Sequence, residues 1–196
     1  MRSEVKKRKL YTIRGSTASR ASGFEVLNGD KLVEGGAARY LPVVPLQDYL
    51  ERPVFLADAK LGRIHRDFEV YSGYWLISEQ MKSVLQVVDS RAFVFLECDI
   101  RSPEGTRQPA RWLCDVVRVL DAVDEAQSTV RVGISDNGGK YYRLDGSEKL
   151  VFKESVIAGA HVFRMKYFEP RIMCDEELKR ACKLADLKGV SFADQS

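Results

Sequence analysis

The fold is decided by residues 92–120, which read AFVFLECDIRSPEGTRQPARWLCDVVRVL. Residues 92–100 are rich in aromatic and β-branched side chains and predict a strand. Residues 101–109 hold Ser, Gly and Pro and predict a loop. Residues 110–120 predict a second strand with apolar side chains on both faces, which is typical of a central strand. A sheet built around these two strands is the expected centre of the protein.

Residues 79–88 predict an amphipathic helix directly before this sheet. Ser78 is placed to cap its first turn. The apolar residues recur at i, i+3, i+4 and i+7, which is the spacing of one buried helical face. They are Met81, Val84, Leu85 and Val88.

A second helix is predicted to begin near Glu176. Asp175 can cap it, and Glu176 and Glu177 favour the positive end of its dipole. Gly189 is placed as its stop. The expected buried face consists of Leu178, Ala181, Cys182 and Ala185. Residues 189–192 then predict a short closing strand.

Further strands are predicted between the sheet and this last helix. Residues 129–135 and 140–144 predict a hairpin, because Asn137 and Gly138 supply turn residues that tolerate positive φ. The remaining predicted strands are residues 149–155, as the third strand of this meander, and residues 161–168. Glu169-Pro170 is expected to end the last of them.

The first seventy residues predict little regular structure, because turn signals interrupt them. Residues 39–56 carry three of the six prolines and are expected to form an extended or looping segment along the surface. Helices and antiparallel strands are mixed without regular βαβ alternation, which predicts the α+β class. We expect a single domain over residues 10–196, mainly an antiparallel sheet with a few short helices packed on it.

Basic charge is concentrated at the start of the sequence. The chain has 196 residues and a net charge of +3, and residues 1–9 hold five basic side chains against one acidic side chain. These residues are expected to form a mobile arm that folding does not need. The alternative is a small module that binds nucleic acid or an anionic surface through this arm. Without interleaved aromatic residues the arm is a weak nucleic-acid footprint, so nucleic acid is not the expected partner.

The composition also limits the classes of protein and of site. The longest apolar run, residues 92–96, is far shorter than the roughly 20 residues of a membrane helix. The four cysteines lack the spacing of a zinc site and are expected to be small buried side chains in a reducing cytoplasm. No cofactor, metal or catalytic motif is recognised. His161 is expected to be a hydrogen-bonded structural residue, and the alternative is an enzyme that uses Cys114 or His161.

One acidic cluster is a candidate binding surface. Residues 115–125 read DVVRVLDAVDE, with four carboxylates against Arg118 alone. The acids are Asp115, Asp121, Asp124 and Glu125. One interpretation is that Asp121 caps a short helix and the neighbouring acids are solvated. The other is an acidic edge that faces a basic partner.

An aromatic group is the second candidate surface. Tyr71, Tyr74 and Trp75 lie close together in the segment EVYSGYWLISEQ. Such a density of rings is typical of a core, whereas a partly exposed set would anchor a partner. Both interpretations stay open at this point.

The order of these segments resembles a known family. The shared features are the helix that opens at Ser78, VVRVLDAVD at 116–124, HVFR at 161–164, and the helix, glycine and strand of residues 175–192. Together they resemble the bacterial polymorphic-toxin immunity proteins of family eleven, formerly a domain of unknown function. The resemblance is strongest over residues 70–193.

The resemblance implies a small cytoplasmic protein without enzymatic activity. Such a protein binds and neutralises a cognate toxin domain, often a nuclease, by stoichiometric contact. The resemblance carries no catalytic residues and no cofactor. It leaves open which toxin is bound and whether copies of the chain associate.

Overall fold

The computed structural model describes residues 8–15, 22–36, 41, 43–64 and 66–195. Most of its strands lie in two sheets, of six and five strands. Sheets and helices are mixed within one domain, so the predicted α+β class is confirmed. Residues 1–7 lie outside the described residues, and the mobile arm therefore stays a prediction. Arg8 belongs to the predicted arm of residues 1–9 but contacts the folded body: its Nη1 donates to the carbonyl of Ala160 at 3.0 Å.

The first sheet has six strands, and the two strands predicted first lie inside it. In spatial order they are β2 (Phe24–Val26), β3 (Val54–Ala57), β6 (Phe93–Arg101), β7 (Arg107–Val116), β5 (Tyr74–Ser78) and β4 (Phe68–Tyr71). β3 and β6 run parallel, and the other neighbours run antiparallel. Since β7 pairs with both β6 and β5, the prediction of a central strand is confirmed.

The second sheet has five strands and joins distant parts of the chain. In spatial order they are β13 (Val190–Asp194), β1 (Leu10–Gly15), β12 (Phe168–Asp175), β11 (Val162–Met165) and β8 (Val119–Leu120). The predicted hairpin is confirmed as a separate pair, β9 (Arg131–Ile134) and β10 (Lys140–Arg143). Of its two proposed turn residues, Gly138 has a positive φ of 80° and Asn137 does not.

The helices are α1 (Glu79–Asp89), α2 (Glu154–Ile157) and α3 (Glu176–Leu184). Both predicted caps are confirmed. Ser78 Oγ accepts the N–H of Met81 at 3.2 Å, and Asp175 Oδ1 accepts the N–H of Leu178 at 3.2 Å. The predicted stop at Gly189 is wrong, because α3 ends at Leu184. The chain leaves the helix through Asp186, which adopts a φ of 50°.

The largest core cluster lies between the two sheets and is closed by α1 and α3. Ile13 and Ile172 come from the second sheet, and Trp75 and Ile77 come from the first. The helices add Met81, Leu85, Leu178 and Cys182. Burial of these apolar faces is what fixes the sheets and helices as one unit.

The N-terminal part of the chain is more ordered than the sequence predicts. It contributes β1 to β4. Residues 39–56 are extended at β3, as predicted, but β3 lies inside the first sheet, so the expected surface position is wrong there. Leu41, Leu46 and Phe55 are buried against the outer face of the first sheet. Prolines break the segment locally, but its apolar side chains still pack on the sheet.

Two predictions about the later strands are also wrong. Residues 149–155 do not form a strand: Phe152 makes a single bridge to Val123, and α2 begins at Glu154. Glu169-Pro170 does not end a strand, because β12 runs through both residues. The ladder between β11 and β12 shifts register beside Pro170, and a proline is tolerated there because no N–H is needed at a bulge.

Candidate functional site

The acidic cluster divides into two parts. Asp115 lies in β7 and pairs with Arg164 of β11, at 2.7 Å between Oδ1 and Nη2. This ion pair joins the two sheets. The other three acids lie after β8, and we call Asp121, Asp124 and Glu125 the acidic ledge.

Much of the charge on the acidic ledge already has a partner. Glu125 accepts hydrogen bonds from Lys140 and from the hydroxyl of Tyr142, the latter at 2.6 Å. The Lys140 hydrogen bond comes first among the causes that hold the pKa of Glu125 below its usual range. Asp121 is exposed; among the described residues its side chain accepts a 3.4 Å hydrogen bond from the Tyr167 hydroxyl, and its charge also acts on Lys140. Asp121 is therefore the acid of the ledge that is most open to a partner.

Asp124 has a local role. Its Oδ1 accepts the N–H groups of Ala126 and Gln127, at 3.1 and 3.3 Å, and so caps the turn that follows. The interpretation in which Asp121 caps a short helix is wrong, because the chain makes a turn here and Asp124 is the residue that caps it.

The aromatic group lies mainly in the core. Tyr74 and Trp75 are 2% and 3% exposed, because one face of β5 packs in each of two core clusters while β4 and β7 pair with its edges. Tyr71 is partly buried and packs edge-on against Phe55, with ring centroids 5.2 Å apart. Tyr74 and Trp75 thus present no surface to a partner in this conformation.

The hairpin of β9 and β10 is a surface that the sequence analysis did not select. The ring of Tyr141 lies across Gly133 on the facing strand; a Cβ at residue 133 would come within 2.8 Å of Cε1 of the ring. Arg143 Nη2 donates to the Tyr141 hydroxyl at 2.8 Å. Val132 and Ile134 remain 48% and 65% exposed. In the sequence, this surface could have been recognised from the glycine that the predicted hairpin places opposite a tyrosine.

A cleft of about 660 Å³ lies beside the start of α1. Its wall contains Arg66, Asp67 and Arg111. Arg66 Nε donates to Asp67 at 2.7 Å, and the charge of Arg111 is offset by the buried Glu69. Each of the two arginines of the cleft thus has an acidic neighbour.

His161 and the cysteines are structural in their surroundings. His161 Nδ1 lies 2.8 Å from Asp175 Oδ2, as expected of a hydrogen-bonded structural histidine. All four cysteines are buried and have free thiols, so their predicted burial is confirmed. Burial raises the pKa of the Cys114 thiol well above its usual value, so Cys114 is a poor nucleophile at neutral pH. In the part of the chain that the structure describes, no cluster of His, Cys, Asp and Glu could hold a metal ion.

The described part of the chain thus presents Asp121 and the exposed side chains of the hairpin at its surface. None of its helices combines the length and apolar character needed to cross a membrane. The chain belongs to the immunity protein family (Imm11), whose family model matches residues 3–196. No curated protein matches the chain.

Proposed function

We propose that this protein neutralises one cognate toxin domain by forming a stoichiometric complex with it in the cytoplasm. The observation that carries the proposal is the family match over residues 3–196. The acidic ledge and the hairpin give the body a surface with both charged and apolar exposed side chains. The toxin is expected from the C-terminal domain of a large protein encoded by a neighbouring reading frame.

The acidic ledge supports a basic toxin, such as a nuclease. A nuclease has to attract phosphate, and the surface around its active site is therefore positively charged. Asp121 offers such a surface an exposed carboxylate and Asp124 lies beside it, whereas Glu125 is already paired with Lys140. Charges at a solvated rim mainly accelerate encounter and affect dissociation less.

The test measures association of the purified chain with that C-terminal toxin domain at two salt concentrations. The ledge variant carries Asp121→Lys, Asp124→Lys and Glu125→Lys. A control variant carries Glu34→Lys, Glu51→Lys and Glu104→Lys, three exposed acids outside the ledge. Both variants change the net charge equally, so a difference between them reports position.

The ledge variant should associate more slowly than the control, and the difference should be largest at low salt, where screening is weakest. Equal rates in two folded variants would remove the ledge from the contact. A wild-type chain that forms no complex and gives no protection from the toxin would overturn the proposed function itself.

A further inference from the structure

We infer that the outer edge of β9 is a docking site for an extended, acidic segment of the toxin, which adds to the hairpin as a third strand. This inference rests on the proposed function and names the part of the protein that makes the contact. It is carried by the hydrogen-bond pattern of the hairpin, the exposure of its apolar side chains and its two exposed arginines.

The hydrogen-bond pattern turns two residues of β9 outward. In an antiparallel pair, residues alternate between bonding the partner strand and pointing away from it. Ser135 N–H donates to the carbonyl of Gly139 at 2.8 Å, so Gly133 is the next residue of β9 that bonds β10. The backbone groups of Val132 and Ile134 therefore face the outer edge.

The other edge of the hairpin shows the same alternation. Tyr142 lies opposite Val132, and its N–H points away from β9 to the carbonyl of Tyr167 at 2.9 Å. That edge is thereby joined to the body. Among the described residues, no backbone group bonds Val132 or Ile134 from the outer side. An unpaired edge of this kind is a template for strand addition.

The side chains of the outer strand also lack cover. Val132 and Ile134 are 48% and 65% exposed and lie on the same face of β9. β9 contains no proline or lysine, two of the residues that protect edge strands from pairing. An added strand would shield both apolar side chains from water.

The opposite face of the hairpin selects an acidic segment. Arg131 and Arg143 lie directly across from each other and both are exposed; the charge of Arg131 acts on Asp145, and in the described parts of the chain neither arginine lies within 4 Å of a carboxylate oxygen. The ring of Tyr141 lies beside them in the space left by the missing side chain of Gly133, and the hydrogen bond from Arg143 fixes its hydroxyl. Because this ring is already fixed, a partner loses little side-chain entropy in using it. Arginine donors favour carboxylates.

The same charges disfavour a second copy of this chain as the occupant. Pairing of two β9 edges would add another Arg131 and Arg143 to one continuous ribbon, and like charges on neighbouring strands repel. A toxin segment with Asp or Glu on that face meets no such cost.

The first experiment compares Val132→Pro with Val132→Thr for binding to the toxin domain encoded by the neighbouring reading frame. Proline removes an N–H that points outward and leaves the ladder to β10 intact, whereas threonine keeps this N–H. Val132→Pro should weaken the complex by at least about tenfold, and Val132→Thr should weaken it clearly less. Circular dichroism and a melting curve check that each variant folds.

Two further measurements serve if Val132→Pro fails to fold. The double variant Arg131→Glu with Arg143→Glu should weaken the same complex, and hydrogen exchange of the wild-type complex should show new protection at Val132 and Ile134. Wild-type binding with no effect of the double variant and no such protection would overturn the inference but keep the proposed function. Protection in toxin-free protein that rises with its concentration would assign the edge to a second copy and also overturn it.

Discussion

Arg118 holds Asp89 at two points: its Nη2 donates to Oδ1 at 2.9 Å, and its Nη1 donates to Oδ2. Asp89 is the last residue of α1, and Arg118 lies between β7 and β8. Asp89 Oδ2 also accepts the N–H of His161 at 2.9 Å, just before β11. One buried carboxylate thus ties a helix to both sheets.

Asp89→Ala should destabilise the protein by about 3–5 kcal/mol, because it leaves a partly buried guanidinium without its carboxylate. Urea unfolding gives the change in free energy. A double-mutant cycle with Arg118→Ala is the control, and the double variant should lose less than the sum of the single losses. Additive losses would show that the two side chains act independently.

Acid should weaken the protein through Asp67. Burial alone would raise the pKa of this carboxyl, but hydrogen bonds from Arg66, the Lys188 N–H and Ser78 outweigh it and lower the pKa. The unfolded chain therefore takes up this proton at a higher pH than the folded chain does. The stabilisation is present above about pH 4 and is lost as the pH falls below it.

Unfolding midpoints measured from neutral to acidic pH test this expectation. Asp67→Asn should be less stable at neutral pH and should show a shallower loss in acid. Asp30→Asn, an exposed aspartate, is the matched control and should keep the wild-type slope. The same slope in Asp67→Asn would assign the acid sensitivity to other carboxylates.

Leu178 and Leu184 of α3 allow the effect of burial on stability to be measured apart from the effect of helix propensity. Leu178 is fully buried and Leu184 is 82% exposed. Leu178→Ala should cost about 2–5 kcal/mol, since it leaves a cavity in the core. Leu184→Ala makes the same chemical change on the solvent side and should leave the unfolding midpoint nearly unchanged. Similar midpoints for both variants would contradict the burial of Leu178.

The thiols should be unreactive until the protein unfolds. Burial raises the pKa of both Cys98 and Cys182 to about 12, so little thiolate exists at neutral pH. Mass spectrometry after brief alkylation should find the native chain unlabelled and the urea-unfolded chain labelled at all four cysteines. Rapid labelling of one cysteine in the native chain would identify a locally open region.

Elements governed by neighbouring residues could be predicted from the sequence. Ser78 and Asp175 cap helices through N–H groups two or three positions away, and the hairpin turn depends on Gly138. β12 could not be predicted through Pro170, because the bulge that accommodates it depends on β11. Pairing with a distant strand is invisible to local pattern.

The candidate surfaces follow the same division. Residues 115–125 are acidic in sequence, but the neutralising contacts of Asp115 and Glu125 come from Arg164 and Lys140, which only the folded chain brings near. The burial of Trp75 likewise follows from the position of β5 inside its sheet. Charge composition is therefore visible in the sequence, whereas unpaired charge is visible only in the fold.

The position of β1 between β12 and β13 affects when the protein can act. Both strands that pair with β1 are made late in synthesis. For example, Ser191 Oγ, beside β1 in the folded sheet, donates to the carbonyl of Arg14, which lies 177 positions earlier. β1 therefore has no strand to pair with until the ribosome has nearly finished the chain. Sheets that depend on such non-local pairing also form slowly. Under the proposed function, a chain that is still being completed gives no protection, and finished protein is then expected to be needed before the toxin is present.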